Sequence, residues 1–251
     1  MIPLHDPDLR LHTRPYIIYA LIAVNVLVFL FQLPMSNLDE TSFIWRFGLI
    51  PHELIGGEAF EMVRFQTSDG LREVDISSPV PTWATIFTSM FLHGGFLHVA
   101  GNMLFLWVFG DNIENRFGRW RFITFYLGAG VVAAFAQVLV NTDSQIPMIG
   151  ASGAVAGVLG AYWLLYPRSR IHTLIFLGWF IFHRRLPAIL LIGVWAALQT
   201  FGGIGQLASP DGGGTAYFAH LGGLAIGIVI GASSRLRAGW HETPRQYRPS
   251  G

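Results

Sequence analysis

The sequence predicts an all-α polytopic membrane protein: a six-transmembrane-helix bundle with a long outer first loop and an interfacial segment before span 5. Three observations predict it. Of the 251 residues, 52% are hydrophobic and only 12% charged, about half the charged share of a soluble domain. Apolar runs close to the roughly 20 residues needed to cross a bilayer recur six times. Arginines gather beside the ends of those runs on one side only.

Residues 1–14 are polar and read as a cytoplasmic tail; no small-residue cleavage site follows the first apolar run, so no signal peptide is expected. The first span is 16–33. The loop after it, 34–94, is too long for a plain connector. Within it, Phe43-Ile44-Trp45-Arg46-Phe47-Gly48-Leu49-Ile50 reads as an amphipathic or interface-lying piece. Residues 58–75 are polar, with an alternation that suits either a short hairpin or irregular chain. Residues 79–92, rich in Trp, Phe and Thr, lead into the second span along the outer interface, where aromatics concentrate.

Spans two to four are 95–113, 121–140 and 149–166. Residues 171–182 are also apolar but only 12 long, between Arg168 and Arg170 on one side and Arg184 and Arg185 on the other. A stretch that short is expected to lie in the interface rather than cross. Spans five and six are 186–203 and 215–234, with Gly212-Gly213-Gly214 between them as a flexible, plausibly moving cap. A second cytoplasmic tail, 235–251, completes a single membrane domain, 1–251.

Arginine fixes the orientation. With a cytoplasmic N-terminus, 13 of the 16 arginines face the cytoplasm, while Arg46, Arg64 and Arg72 fall in the first loop with eight of the 15 acidic residues. The positive-inside rule chooses this topology over its inverse. There is no lysine, which reads as a compositional bias, and no cysteine, which removes disulfides and thiol chemistry. The net charge of +1 comes without a basic patch and argues against nucleic acid.

Ionisable and polar side chains at bilayer depth usually mark function. His98 and Asn102 fall on the second span, Ser152 on the fourth and His220 on the sixth, all running from outside to inside. Counted from the inner ends at about 1.5 Å per residue, Ser152, His220 and Asn102 stand roughly 21, 20 and 18 Å up, with His98 about 6 Å higher. Three distant stretches thus deliver polar groups to one layer. Gly223, Gly227 and Gly231, with Gly153, Gly157, Ala156 and Gly160, form small-residue stripes that let two helices approach closely. A serine and a histidine within hydrogen-bond reach are the minimum equipment for covalent acyl transfer.

Three motifs, His98-Val99-Ala100-Gly101-Asn102, Gly150-Ala151-Ser152-Gly153 and Ala219-His220-Leu221-Gly222-Gly223, resemble those of the rhomboid family of intramembrane serine proteases. Glu114-Asn115-Arg116-Phe117-Gly118 also fits, and the resemblance covers about 81–232 in the family's order. It implies a six-helix bundle around a water-filled cavity open to the outer side. Ser152 would be the nucleophile and His220 its general base, with His98 and Asn102 joining the Ser152 N–H in holding the oxyanion. It also implies lateral entry of a substrate helix past spans two and five and the loop 206–215.

The sequence departs from some relatives in having Ala156 where an aromatic would stack on the histidine, and Gly101 before the oxyanion asparagine. No third triad member is evident: Asp211 lies in the glycine loop and Asp111 near the inner end of its span. His93 lacks the spacing of a zinc-protease motif and reads as interfacial or structural. Glu114 and Arg116 read as an ion pair or helix-end cap, and Gln137 and Gln199 as interhelical hydrogen-bond residues.

The expected function is therefore an intramembrane serine endopeptidase, with no metal or other cofactor, acting on single-span membrane proteins in the lipid bilayer. The expected location is a bacterial plasma membrane. The rivals are a rhomboid-like pseudoprotease that binds client helices without cutting, and a small transporter, which would show the inverted repeats that this sequence lacks.

Overall fold

All six apolar runs form helices in the computed structural model, which describes residues 1–9, 13–67, 70–208 and 214–237. In chain order the elements are β1 (Ile2–His5), α1 (Tyr16–Gln32), α2 (Asn37–Phe47), α3 (Pro51–Leu54), β2 (Met62–Thr67), β3 (Gly70–Asp75), α4 (Thr85–Thr88), α5 (Phe96–Phe117), α6 (Arg119–Val140), α7 (Ser152–Leu165), β4 (Arg170–Leu177), β5 (Phe180–Pro187), α8 (Ala188–Ala208) and α9 (Tyr217–Arg237). Among the described residues, three helices are long and apolar enough to cross a membrane unaided: Arg119–Val140, Ala188–Leu207 and Tyr217–Leu236. A fourth joins them if Thr82–Phe91 and α5, bent by 83° at their junction, count as one span. Tyr16–Gln32 and Ser152–Leu165 are apolar but shorter.

The core is built where α5, α6 and α7 meet. Phe109, Phe122, Tyr126 and Tyr162 are fully buried there with Leu106 and Leu159 around them. α7 is buried along most of its length, from Gly153 to Tyr162.

α7 and α9 meet along the small-residue stripes. A Cβ on Gly223 would collide with the Gly153 carbonyl oxygen, one on Gly227 with the Gly157 carbonyl oxygen, and one on Gly160 with the Leu224 carbonyl oxygen. Backbone touches backbone at three successive turns. Gly153 and Gly157 also face α6, where an added Cβ would meet the Ala133 and Ala129 Cβ atoms at 2.6 and 2.5 Å.

The arginine-rich end holds what sequence reasoning did not foresee. Residues 171–182, expected as a non-crossing segment, form with their neighbours an antiparallel hairpin, β4–β5, paired from Arg170↔Pro187 to Leu177↔Phe180. The cause is local: β-branched and aromatic residues dominate the run, and Gly178, at φ +59°, occupies the left-handed turn position that favours glycine. The polar stretch 1–14, expected as a tail, supplies the third strand: β1 adds to β4 in the order β1-β4-β5.

Just past β1, Asp6 turns into the base of the bundle. Its carboxylate accepts hydrogen bonds from the Tyr162 hydroxyl of α7, from Ser169 Oγ at 2.8 Å, and from the Asp8 N–H at 3.0 Å. Asp8 in turn accepts from the Arg170 N–H at 2.9 Å. Burial raises the Asp6 carboxyl above its ordinary acidity range, opposed by the Tyr162 and Ser169 hydroxyls that favour its charged form.

Elsewhere the sequence reading is refined. Residues 58–75 take the hairpin alternative, β2–β3, paired from Met62↔Asp75 to Thr67↔Gly70, with Arg64 and Glu73 in an exposed ion pair at 2.7 Å. Of the amphipathic piece, Phe43 to Phe47 end α2, which has no fully buried residue, while Leu49 and Ile50 beyond it are buried. Glu114 is a helix-end cap, but of another helix: its two carboxylate oxygens accept the N–H groups of Ile17 and Ile18 at 3.1 and 2.9 Å in the first turn of α1. A negative charge there also complements the helix dipole. In the expected glycine cap, Gly212 and Gly213 lie outside the described residues.

Candidate active site

Ser152 is the first residue of α7 and His220 the fourth of α9. Their side chains meet across the glycine seam, with Oγ 2.7 Å from Nε2. The contact exists because the helices touch backbone to backbone beside it; a side chain at Gly223 would run into the Gly153 carbonyl and hold the two groups apart. The bend before α7 is fixed as well. Leu49 and Met148 exchange backbone hydrogen bonds at 3.0 and 2.8 Å, and the Gly150 N–H donates to the Ser89 carbonyl at 2.8 Å. Gly150 sits at φ +115°, where a side chain is strained.

His98 and Asn102, one turn apart on α5, converge on that bend. A Cβ placed on Gly150 would meet His98 Nε2 at 2.6 Å and Asn102 Nδ2 at 3.8 Å. The donors thus flank the residue two before Ser152. The Ser152 N–H lies in the first turn of α7, where backbone donors have no intrahelical acceptor. Ser152, His220, His98 and Asn102 all line one cavity of about 590 Å³. The structure brings together all four residues singled out by sequence.

Three contacts were not legible in the motifs. His93 is fully buried, and its Nε2 lies 3.0 Å from Asn102 Nδ2, so one amide hydrogen of Asn102 is held while the other is left to point elsewhere. The His93 backbone is itself clamped by Gln32, which bonds both its N–H and its carbonyl at 3.3 and 3.2 Å. Trp195 of α8 packs on the His220 ring, centroids 5.7 Å apart and tilted 38°. It covers the histidine from α8, while Ala156 is small. Gln199, one turn further along α8, places Oε1 2.7 Å from His220 Nδ1.

Gln137 does what an interhelical glutamine is expected to do: its Oε1 accepts the N–H groups of Phe218 and Ala219 at 3.0 and 3.3 Å, capping the start of α9 just before His220. Asp111 lies at the arginine-rich end, where its carboxylate bonds the Asn112 N–H at 2.6 Å. Among the described residues no cluster of three or more His, Asp or Glu side chains is arranged to hold a metal ion.

Fold and site together define a helical membrane protein that carries a serine–imidazole pair inside its bundle. Residues 81–236 match the family model described as Rhomboid domain, and the chain belongs to the rhomboid family. It is similar to the presenilin-associated rhomboid-like protein, mitochondrial, of Homo sapiens, with 35% identity over 171 residues, 66% of this chain and 40% of that one. It is likewise similar to RHOMBOID-like protein 4 of Arabidopsis thaliana (29% identity, 90% of this chain and 55% of that one). Rhomboid protein 1, mitochondrial, of Saccharomyces cerevisiae is 28% identical over 86% of this chain and 52% of its own. The chain therefore spans about two-fifths to a little over half the length of these relatives.

These relatives correct one expectation. Two of them are named as mitochondrial and the third is a plant protein, which points away from a bacterial plasma membrane. That expectation rested on a compact six-span form and on seeing no targeting segment, and neither property carries information about the organism.

Proposed function

We propose that the chain is an intramembrane serine endopeptidase that cleaves the transmembrane helices of single-span proteins, with Ser152 as nucleophile and His220 as general base. The observation that carries this reading is the 2.7 Å contact between Ser152 Oγ and His220 Nε2 at the edge of a cavity that His98 and Asn102 also line. In this scheme Oγ gives its proton to Nε2 and attacks the scissile carbonyl carbon. The resulting oxyanion is held by the Ser152 N–H with His98 and Asn102. His220 then passes its proton to the leaving amine, which departs as the acyl–enzyme forms. Water, deprotonated by His220, attacks the ester and restores the serine.

The reading includes six crossings by α1, α5, α6, α7, α8 and α9 in one membrane domain. α1 and α7, shorter than a full span, would be completed by the turns flanking them, and α7 also by being packed inside the bundle. Entry of a substrate helix from the lipid and activity without metal or nucleotide belong to the same proposal.

The test is cleavage of a model single-span substrate by the full chain in liposomes, together with labelling by a fluorophosphonate. Cleavage and a fluorophosphonate adduct on Ser152, both lost in Ser152→Ala, are the expected result. Cleavage that persists undiminished in Ser152→Ala overturns the mechanism. Binding of the substrate without cleavage by the wild-type chain would instead indicate a pseudoprotease.

A further inference from the structure

We propose that Gln199 is a positioning residue of the Ser152–His220 pair: its side-chain oxygen, 2.7 Å from His220 Nδ1, fixes the imidazole tautomer that leaves Nε2 to accept the serine proton. The inference rests on the protease reading above and deepens it.

A neutral imidazole has one N–H and one bare nitrogen. Ser152 Oγ–H can donate to Nε2 only if the ring proton is on Nδ1. His220 is 9% exposed, so an Nδ1–H there needs an acceptor within the protein. Gln199 Oε1 stands in that position. The amide has a reason to face this way: its Nε2 is turned to the Trp195 carbonyl one helical turn earlier, at 3.5 Å, which can only accept. Reversing the amide would aim a donor at Nδ1 and force the ring proton onto Nε2, against the serine.

Trp195 adds the second constraint. Packed on the ring at 5.7 Å, it limits rotation of the imidazole out of line with Oγ. Both groups come from α8, a helix that carries neither motif residue. The other titratable side chain acting on the ring is His98, across the cavity. When the ring takes the serine proton and becomes cationic, the Gln199 carbonyl dipole also points its negative end at Nδ1–H.

The experiment uses the full chain in liposomes with nitrogen-15 histidine, in wild-type, Gln199→Leu and Gln199→Glu forms. In the wild type, the His220 ring is expected to show the Nδ1–H tautomer. Gln199→Leu should shift the ring towards the Nε2–H form and lower kcat about 10- to 100-fold with KM little changed, well short of the roughly 10⁴-fold effect known where a carboxylate holds the same position. Gln199→Glu keeps an acceptor at Nδ1 and should retain the wild-type tautomer. Its carboxylate also stabilises the ring cation, so the acidic limb of the kcat profile should move to higher pH by about one unit or more.

A Gln199→Leu protein with wild-type tautomer, kcat and pH profile overturns the proposal. If that variant fails to fold, Gln199→Glu decides alone: an unmoved acidic limb is the adverse result. Because the ring spectrum is read without substrate, a wild type that never cleaves but shows the expected tautomer change in Gln199→Leu would sink the protease reading and leave the Gln199 contact standing.

Discussion

Gly223→Ala tests the link between helix packing and chemistry most directly. The new Cβ would overlap the Gly153 carbonyl oxygen, with Ala156 Cβ a further 3.1 Å neighbour. Restoring ordinary contact at about 3.5 Å requires α7 and α9 to separate by about 1 Å or more. The hydrogen bond between Ser152 and His220 lies one turn away and begins at 2.7 Å; the same displacement carries it to roughly 3.7 Å, outside hydrogen-bond range. Overpacking of this kind costs about 1–3 kcal/mol in stability, so a folded protein is expected. A misplacement of about 1 Å in reacting groups can cost about 10²-fold in rate. The assay is the rate of Ser152 labelling by a fluorophosphonate, per folded molecule, beside Gly128→Ala, whose added Cβ meets nothing within 4 Å. Gly223→Ala should label about 100-fold more slowly, and Gly128→Ala at the wild-type rate. Equal rates in all three would refute the argument that the glycine seam sets the distance.

Asn102→Ala removes one oxyanion donor and should lower kcat by about 10²–10³, measured by single-turnover cleavage in liposomes. Glu114→Ala leaves the N–H groups of Ile17 and Ile18 without their acceptor. It should destabilise the protein by about 1–3 kcal/mol in a thermal unfolding assay while leaving cleavage per folded molecule unchanged. Burial raises the Asp6 pKa in the folded protein, so the fold binds its proton more tightly than the unfolded chain does. Its stabilising contribution is complete below about pH 4, the unfolded value, and is lost as pH rises through the folded value; Asp6→Asn should flatten that part of the stability profile.

The helices were readable because a span needs about 20 apolar residues and glycine stripes at four-residue spacing mark close contact. That Ser152, His220, His98 and Asn102 would lie together was legible because polar groups are rare in apolar runs and, counted along their helices, these four fall within about 6 Å of one another in height. Gln199 was readable only as an interhelical hydrogen-bond residue, without its partner, and Trp195 not at all. A glutamine on an apolar helix has many uses, and no spacing rule ties α8 to His220.

The β4–β5 hairpin was hidden by its composition. Apolar residues on both faces erase the period-two signal that separates a strand from an interfacial segment. β1 was harder still, since its partner β4 lies more than 160 residues away and the strand is only four residues long. Strand pairing over such a separation leaves no local mark in the sequence.

α8 is held by backbone bonds at its arginine-rich end, while near its other end, among the described residues, Gln137 Nε2 donates a side-chain bond to Gln206 Oε1 at 3.3 Å. At the arginine-rich end, the Ala188 and Ile189 N–H groups donate to the Ser169 and Pro167 carbonyls at 2.8 and 3.0 Å, beside the anchored sheet. Gln199 stands 11 residues further along, about 17 Å from that foot at 1.5 Å per residue. A lean of roughly 10° about the foot would swing Gln199 by about 3 Å, more than its whole hydrogen bond to the histidine. The pair on α7 and α9 is thereby set in rigid masonry, while its third partner rides on a lever, and small changes in the slope of one helix translate into the presence or absence of a correctly protonated base.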